Sequence, residues 1–406
     1  MKIGLLGQFG SGNTGNDGSL EAMLDFLRAS KPDAELLCIC SNPKAVTEKY
    51  NVAAISIGGF VAKGRWFNRI NKVFADVPRR MASLLSVLTG LRGADLLIIP
   101  GTGILDDFQE TAFGWPFVVF RWCLAARLRN ARVAFVSIGA GPIEHPLSRW
   151  FLTSAARMAQ YRSFRDDFSR EYMKGVGLDV SRDPRYPDIA FRLPAPASAP
   201  ARDLTRTTVG VGIMDYHGWS KVNAGGETIY QTYIGKLSSF ICWLVEEGHD
   251  VRLLTGDLRD WKAVDDVLAK IAASGSAFAS DRITIGHGHS LQELMDEIGQ
   301  TDMVVVSRYH NVVCALKLGR PTISLSYNQK NDYLLAQFEQ AHYCQHIETF
   351  DVEALKRQTK QMLGDIDAVR LQIAKSNGSF QKKLSEQEEL LLDRVISPLA
   401  KAKRHS

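Results

Sequence analysis

The chain has six cysteines, at 38, 40, 123, 242, 314 and 344, and none falls in a C-x-x-C pair or joins a histidine at zinc-ligand spacing. That pattern excludes a disulfide framework and a structural zinc module, and leaves buried thiols of a reducing compartment. Long apolar runs are also lacking. Arg92 and Asp95 interrupt one candidate span and Arg121 another, so no segment reads as a membrane-crossing helix. The first apolar run gives way after a few residues to a glycine-rich stretch, too short for the core of a signal peptide. Neither sign of charge is in large excess: 49 Lys and Arg face 44 Asp and Glu, a net +5, too weak to point to nucleic acid.

What is present is a repeated alternation of strands and helices. With 406 residues and 45% hydrophobic side chains, the chain is long enough for two well-buried domains. Residues 2–6 read as a strand running into GQFGSGNTGNDGS, and 20–29 as the helix that follows. Glycines there let backbone amides approach a ligand, and a helix amino terminus favours an anion. The stretch has neither the G-x-G-x-x-G form nor a P-loop lysine. Strands are expected at 36–40, 94–100 and 131–138. The last two end in Gly101-Thr102-Gly103 and Gly139-Ala140-Gly141-Pro142, which suits the rim of a ligand cleft. Residues 60–90 combine an apolar stripe at helical spacing with Lys63, Arg65, Arg69, Lys72, Arg79 and Arg80 against Asp76 alone, broken by Pro78. Such a helix suits an anionic membrane face, and packing on the sheet with a solvated charged side is the plainer reading.

Residues 194–206, PAPASAPARDLTR, have no apolar period and read as a linker. Beyond it the alternation restarts, with strands at 208–214 and 250–255 and a helix over 232–247. The turn Asp215-Tyr216-His217-Gly218-Trp219 places a carboxylate, an imidazole and aromatics at a strand end, a mixture that suits sugar stacking and acid–base work. Ser290 and Glu293 form a capping box for a helix over 291–298. His287 and His289 lack the companions of a metal site. Past 351 the chain reads as a charged helical tail.

The densest signal is SRYHNVVCALKLGRPTISLSYNQK, residues 307–330. It reads as a strand end over 303–307, a helix over 311–318 stopped by Gly319 and Pro321, and a second strand over 322–327. Arg308, His310 and Lys330 thereby share one sheet edge beside a helix amino terminus. A guanidinium fork, an imidazole and a helix end favour a phosphate or a carboxylate. The plainer reading of Arg-x-His is a helix cap and a turn residue.

This segment resembles the polysaccharide pyruvyl transferases, on Ser307, Arg308 and His310, then Ala315, Leu316, Gly319 and Pro321, then Ser326, Tyr327 and Lys330. The resemblance extends to the glycine-rich turns and to Arg165-Asp166. At the amino terminus the family pattern Asn-x-Gly-Asp meets Asn13, Gly15 and Asn16, with the acid displaced to Asp17.

The resemblance implies an α/β protein of two Rossmann-like domains facing across a cleft, a GT-B-like architecture. We expect an amino-terminal domain over 1–193, the linker 194–206, a phosphoenolpyruvate-binding domain over 207–350 and the tail 351–406. It implies a transferase that moves the pyruvyl group of phosphoenolpyruvate onto a sugar as a cyclic ketal. His310 is the expected catalytic acid or phosphate ligand, and Asp17 and Asp215 are candidate bases. Arg308, Lys330, Asn13, Gly15, Gly103 and Tyr327 are expected to bind substrate. No metal and no cofactor beyond phosphoenolpyruvate as co-substrate are expected, and the partner is a sugar or lipid-linked oligosaccharide acceptor, not nucleic acid. The expected place is the cytoplasm, with peripheral membrane contact through 60–90 an option. Two other readings use the same features: a GT-B nucleotide-sugar glycosyltransferase, and a non-catalytic sugar-binding subunit of a polysaccharide assembly complex.

Overall fold

The computed structural model describes residues 1–58, 85–108, 110–196, 206–218, 225–274 and 281–399. It divides into two compact units. The first comprises Met1–Ser11, Ser19–Ile189 and Lys383–Ser406, and the second Gly12–Gly18 and Ala190–Lys382. Most of the linker stretch, 197–205, lies outside the described residues, as do residues 59–84 of the basic stretch.

The first unit is built on six strands: β1 Lys2–Leu6, β2 Glu35–Cys40, β3 Ala53–Ser56, β4 Leu96–Pro100, β5 Arg132–Ile138 and β6 Tyr161–Phe164. They lie in the order β3-β2-β1-β4-β5-β6, every pair parallel. Parallel sheets are covered by helices on both faces, so their strands are apolar throughout rather than alternating. LLIIP of β4 is buried at all five positions. The core joins these strands to Val119, Trp122, Leu152 and Ala155 of the helices Trp115–Leu128 and Pro146–Met158.

The second unit repeats the plan with β7 Thr208–Gly212, β8 Asp250–Leu254, β9 Ile283–Ile285, β10 Met303–Val306, β11 Thr322–Ser326 and β12 Cys344–His346. Their order is β12-β11-β10-β7-β8-β9, again all parallel. MVVV of β10 and TISLS of β11 are fully buried. The helix Gly226–Glu246 packs Tyr230, Tyr233, Ile234, Leu237 and Phe240 into this core.

Each unit is therefore a doubly wound Rossmann-like sheet, and in each the chain changes direction of winding between its first and fourth strands. Ligands of such sheets bind outside the carboxyl ends of the strands at that switch point. In the second unit the switch lies between β7 and β10, whose ends lead into Asp215 and into Ser307-Arg308-Tyr309-His310.

Two local readings change. The helix after β1 is Thr14–Ser30, so Gly15, Asn16, Asp17 and Gly18 are helical and not a turn. The Asn13 side chain makes this possible by accepting from the Gly15 and Asn16 amides at 3.1 and 3.3 Å, satisfying donors that a helix start leaves open. The tail is two helices, Val352–Gly364 and Ile366–Leu390. Asp365-Ile366-Asp367 marks their junction. The second helix contributes residues to both units, and within the first Gln387 bonds Ser137 and Ser163 at 3.0 and 2.9 Å.

Candidate active site at the switch point of the second unit

Arg308 ends the approach of β10 and starts the helix Tyr309–Lys317, with no side-chain cap of its own. Its guanidinium instead reaches Asp260: Nε and Nη2 each donate to a carboxylate oxygen at 2.5 Å. Asp260 is completely buried and also accepts from the Gly256 and Asp215 amides at 3.2 and 3.0 Å. A buried carboxylate is tolerable only when paired and fully hydrogen-bonded, and this one is. Burial by itself would lower the Arg308 pKa, but Asp260 and Asp257 outweigh it and hold the guanidinium charged. Asp257 in turn accepts from Arg259 Nε and Nη2 at 3.1 and 3.0 Å, with Arg308 Nη1 at 3.9 Å. Burial pushes the Asp257 carboxyl up, and the two guanidinium groups more than reverse this, leaving it below the usual carboxylate range.

The segment Gly12–Gly18 belongs to this same unit. Thr14 donates to the Gly256 carbonyl from both its amide, at 3.3 Å, and its hydroxyl, at 2.9 Å. Leu258 donates its amide to Gly12 at 3.3 Å, and Asn13 Nδ2 reaches Asp257 at 3.5 Å. Gly15 lies directly against the imidazole of His310, so closely that a β-carbon there would overlap Nδ1. Gly18 packs as closely on Leu291. The glycines thus serve close approach inside a helix. Asp17 stands in the first turn of that helix, its amide donating to Asn13 at 3.4 Å.

At the end of β7, Asp215 pairs with His217, Oδ1 to Nε2 at 3.0 Å. The His217 ring stacks on Tyr230 with centroids 4.5 Å apart, and Tyr230 donates to Asp266 at 2.5 Å. Burial and the Asp266 carboxylate push the Tyr230 hydroxyl above its ordinary pKa. Tyr216 donates to Glu348 at 2.7 Å and faces Tyr327 with ring centroids 6.0 Å apart. Lys330 is buried in the first turn of the helix Gln329–Gln337, its amide on the Asn328 side chain at 3.1 Å. Asn331 beside it donates to the Ser307 carbonyl at 2.8 Å and to Ser324 at 2.9 Å, tying the β10 and β11 ends together.

Asn13, Gly15 and Asp17, then Asp215, then Arg308, His310, Tyr327 and Lys330 accordingly lie in one unit. Gly103 belongs to the other. There it follows β4 at that sheet's own switch point, and Arg165 after β6 is held by Asp188 at 3.0 Å and Asp166 at 3.5 Å. Sequence reasoning missed Asp257, Arg259, Asp260 and Asn331, and named His217 only within the Asp215 turn, without a role of its own. The signal available was GDLRDW after β8, a strand end dense in charge. Among the described residues no group of three or more His, Cys, Asp or Glu could hold a metal ion. His287 and His289 lie against Trp261, at 5.7 and 6.3 Å between ring centroids.

Two all-parallel Rossmann-like units with a charged, hydrogen-bonded cluster at a switch point define a protein of the GT-B class. Solved structures agree on the fold. A MnaA–UDP co-structure from S. aureus is 10% identical, covers 92% of this chain and 91% of that chain, and has a TM-score of 0.60. A UDP-GlcNAc 2-epimerase from Neisseria meningitidis bound to UDP-GlcNAc is 9% identical, with 97% and 100% covered and a TM-score of 0.58. Anabaena HepE in complex with UDP and glucose is 11% identical, with 97% and 100% covered and a TM-score of 0.57. No curated protein matches the sequence. The family itself is settled by the polysaccharide pyruvyl transferase model, which matches residues 13–329. The chain belongs to that family.

Proposed function

We propose that this protein transfers the pyruvyl group of phosphoenolpyruvate to two hydroxyls of a sugar in a polysaccharide or its precursor, forming a pyruvate ketal and releasing phosphate. The observation that carries this reading is the place of the Ser307–Lys330 family segment: at the carboxyl edge of the second sheet, with His310 packed on Gly15 of the amino-terminal family segment.

In this reading the enol carbon takes a proton, a sugar hydroxyl adds to the cationic carbon beside it, and a second hydroxyl replaces phosphate to close the ketal. His310 supplies the proton or holds the phosphate. Asp215, paired with His217, is the better-placed base, because a carboxylate on an imidazole can pass on a proton taken from a hydroxyl. Asp17 stays a second candidate. Arg308 contributes positive potential while its fork is engaged by Asp260, so an incoming carboxylate or phosphate competes chiefly with Asp257, its more distant partner. Lys330 supports the same anion, and Asn13, Gly103 and Tyr327 are proposed substrate contacts. Tyr327, partly exposed and backed by the buried Tyr216, offers a ring for a sugar face. The reaction draws on no metal or further cofactor. A cytoplasmic setting would supply phosphoenolpyruvate.

Calorimetric titration with phosphoenolpyruvate and with a UDP-sugar, followed by acceptor-dependent phosphate release, tests this. Binding of phosphoenolpyruvate with phosphate release is expected. UDP-sugar binding without phosphoenolpyruvate binding would instead favour the glycosyltransferase reading, and binding of neither donor would favour a silent sugar-binding subunit.

A further inference from the structure

On the first unit, the helices Trp115–Leu128 and Pro146–Met158 pack against each other and carry a cluster of aromatic rings on their outer side. Phe151 is its hub, with ring centroids 5.8 Å from Phe113, 5.2 Å from Phe117 and Phe120, and 5.3 Å from Trp150. Although Phe151 itself is buried, Phe113 is 45% exposed, Trp150 53% and Leu128, along the same stripe, 60%. Two large exposed rings on one aromatic cluster, with an exposed leucine further along the first helix, form an apolar surface of the kind that marks an interaction site.

Charge on the two helices themselves is basic, while the exposed Glu110 and Glu144 lie just ahead of their amino ends. The two helices carry Arg121, Arg127, Arg149 and Arg157 and no acidic residue, and the last three are exposed. Residues 59–84 hold six basic residues against Asp76 in sequence, and described residues on either side of them bond to the first helix and its end. Ile57 accepts from the Trp122 indole at 3.0 Å and Leu88 from Arg129 at 3.1 Å. Exposed rings beside arginines match the boundary of an anionic bilayer, where rings sit at headgroup depth and guanidinium groups meet phosphate.

We infer that this face docks peripherally on a membrane of anionic phospholipid. The inference does not rest on the proposed transfer reaction. No helix among the described residues is long and apolar enough to cross a membrane, so the contact is with one leaflet.

The test is flotation of the full chain with vesicles of phosphatidylcholine, alone or mixed with phosphatidylglycerol. The wild type should float with the mixed vesicles only, and added salt should release it. A Phe113→Ser, Trp150→Ser double variant should lose about tenfold in partition, because the rings no longer bury apolar area, with an unchanged thermal transition. Arg127→Gln with Arg157→Gln should abolish the preference for the anionic vesicles. Absence of flotation, or flotation untouched by the ring variant, overturns the inference. The same holds if Arg69→Gln with Arg79→Gln abolishes flotation while the ring variant leaves it intact, since 59–84 would then act without this face. Self-association in sedimentation that Trp150→Ser removes, without vesicle binding, would assign the face to a second copy.

Discussion

Gly15 and His310, distant in sequence, lie so close that the imidazole occupies the volume a side chain on Gly15 would need. The helix Thr14–Ser30 is anchored one residue earlier, by Thr14 on the Gly256 carbonyl after β8. The contact therefore fixes the position of the ring as much as it constrains the glycine. Gly15→Ala should gain about 1 kcal/mol in helix propensity and still impair the enzyme, because His310 must shift to make room. A misplacement on the order of 1 Å costs about 100-fold in turnover. Steady-state pyruvyl transfer alongside a thermal melt checks this. A folded alanine variant with wild-type turnover would show that the ring position does not matter.

Arg308→Lys keeps the charge and loses the fork. Asp260 is completely buried, so the variant should lose about 1.5–3 kcal/mol of stability, the range for hydrogen bonds to a charged group. Phosphoenolpyruvate affinity should fall as well. Urea unfolding measures the first effect and calorimetry the second. Pairing the change with Asp260→Asn should cost less than the sum of the two single changes. Wild-type stability with weakened binding would mean that the guanidinium serves the ligand alone.

Much of this frame was legible because parallel strands are buried on both faces and so announce themselves as apolar runs. MVVV, TISLS and LLIIP were readable on sight, and Gly319, at φ +69°, stopped its helix as expected. The edge strand β3, AAIS, is half exposed and gives no such run. The helix Gly226–Glu246 begins in polar GETIYQT, so its apolar period shows only from its second turn. Gly15 and Gly18 read as loop residues because the sequence cannot show that His310 and Leu291 press on them. Asp257 and Asp260 were hidden for a similar reason. Two acids after a strand look like a solvated turn until tertiary structure supplies Arg308, and the same pairing changes an apparently open cation into an internally engaged one.

Asp257 gives a pH dependence with a definite sign. Its pKa is lower in the folded protein than in the unfolded chain, where a carboxyl titrates near about 3.9. Its contribution is then fully present above that unfolded value and is lost as pH falls through the lowered folded value. Asp257→Asn should be less stable than the wild type at neutral pH, and the gap between their urea midpoints should close as pH drops below about 4. A gap that stays constant into acid would show that the carboxylate charge contributes nothing there.

His310→Gln separates a clamp from a catalyst. If the ring only holds phosphate, the lost contact exists in the ground state too, and the Michaelis constant for phosphoenolpyruvate should rise more than turnover falls. If it protonates the enol carbon or the departing phosphate, turnover should drop by about 100-fold to 10,000-fold while phosphoenolpyruvate still binds. The second outcome is expected. Arg308, the buried Lys330 and the start of the Tyr309–Lys317 helix already supply positive potential at the strand ends, so the anion can be held there without the imidazole. Arg308 is moreover held charged by Asp260 and Asp257, which suits an electrostatic partner and unsuits it as an acid. Steady-state kinetics with phosphoenolpyruvate varied at saturating acceptor, together with calorimetric binding by the variant, distinguish the two. Unchanged turnover with weakened binding would assign His310 to the phosphate and leave the enol proton to another donor.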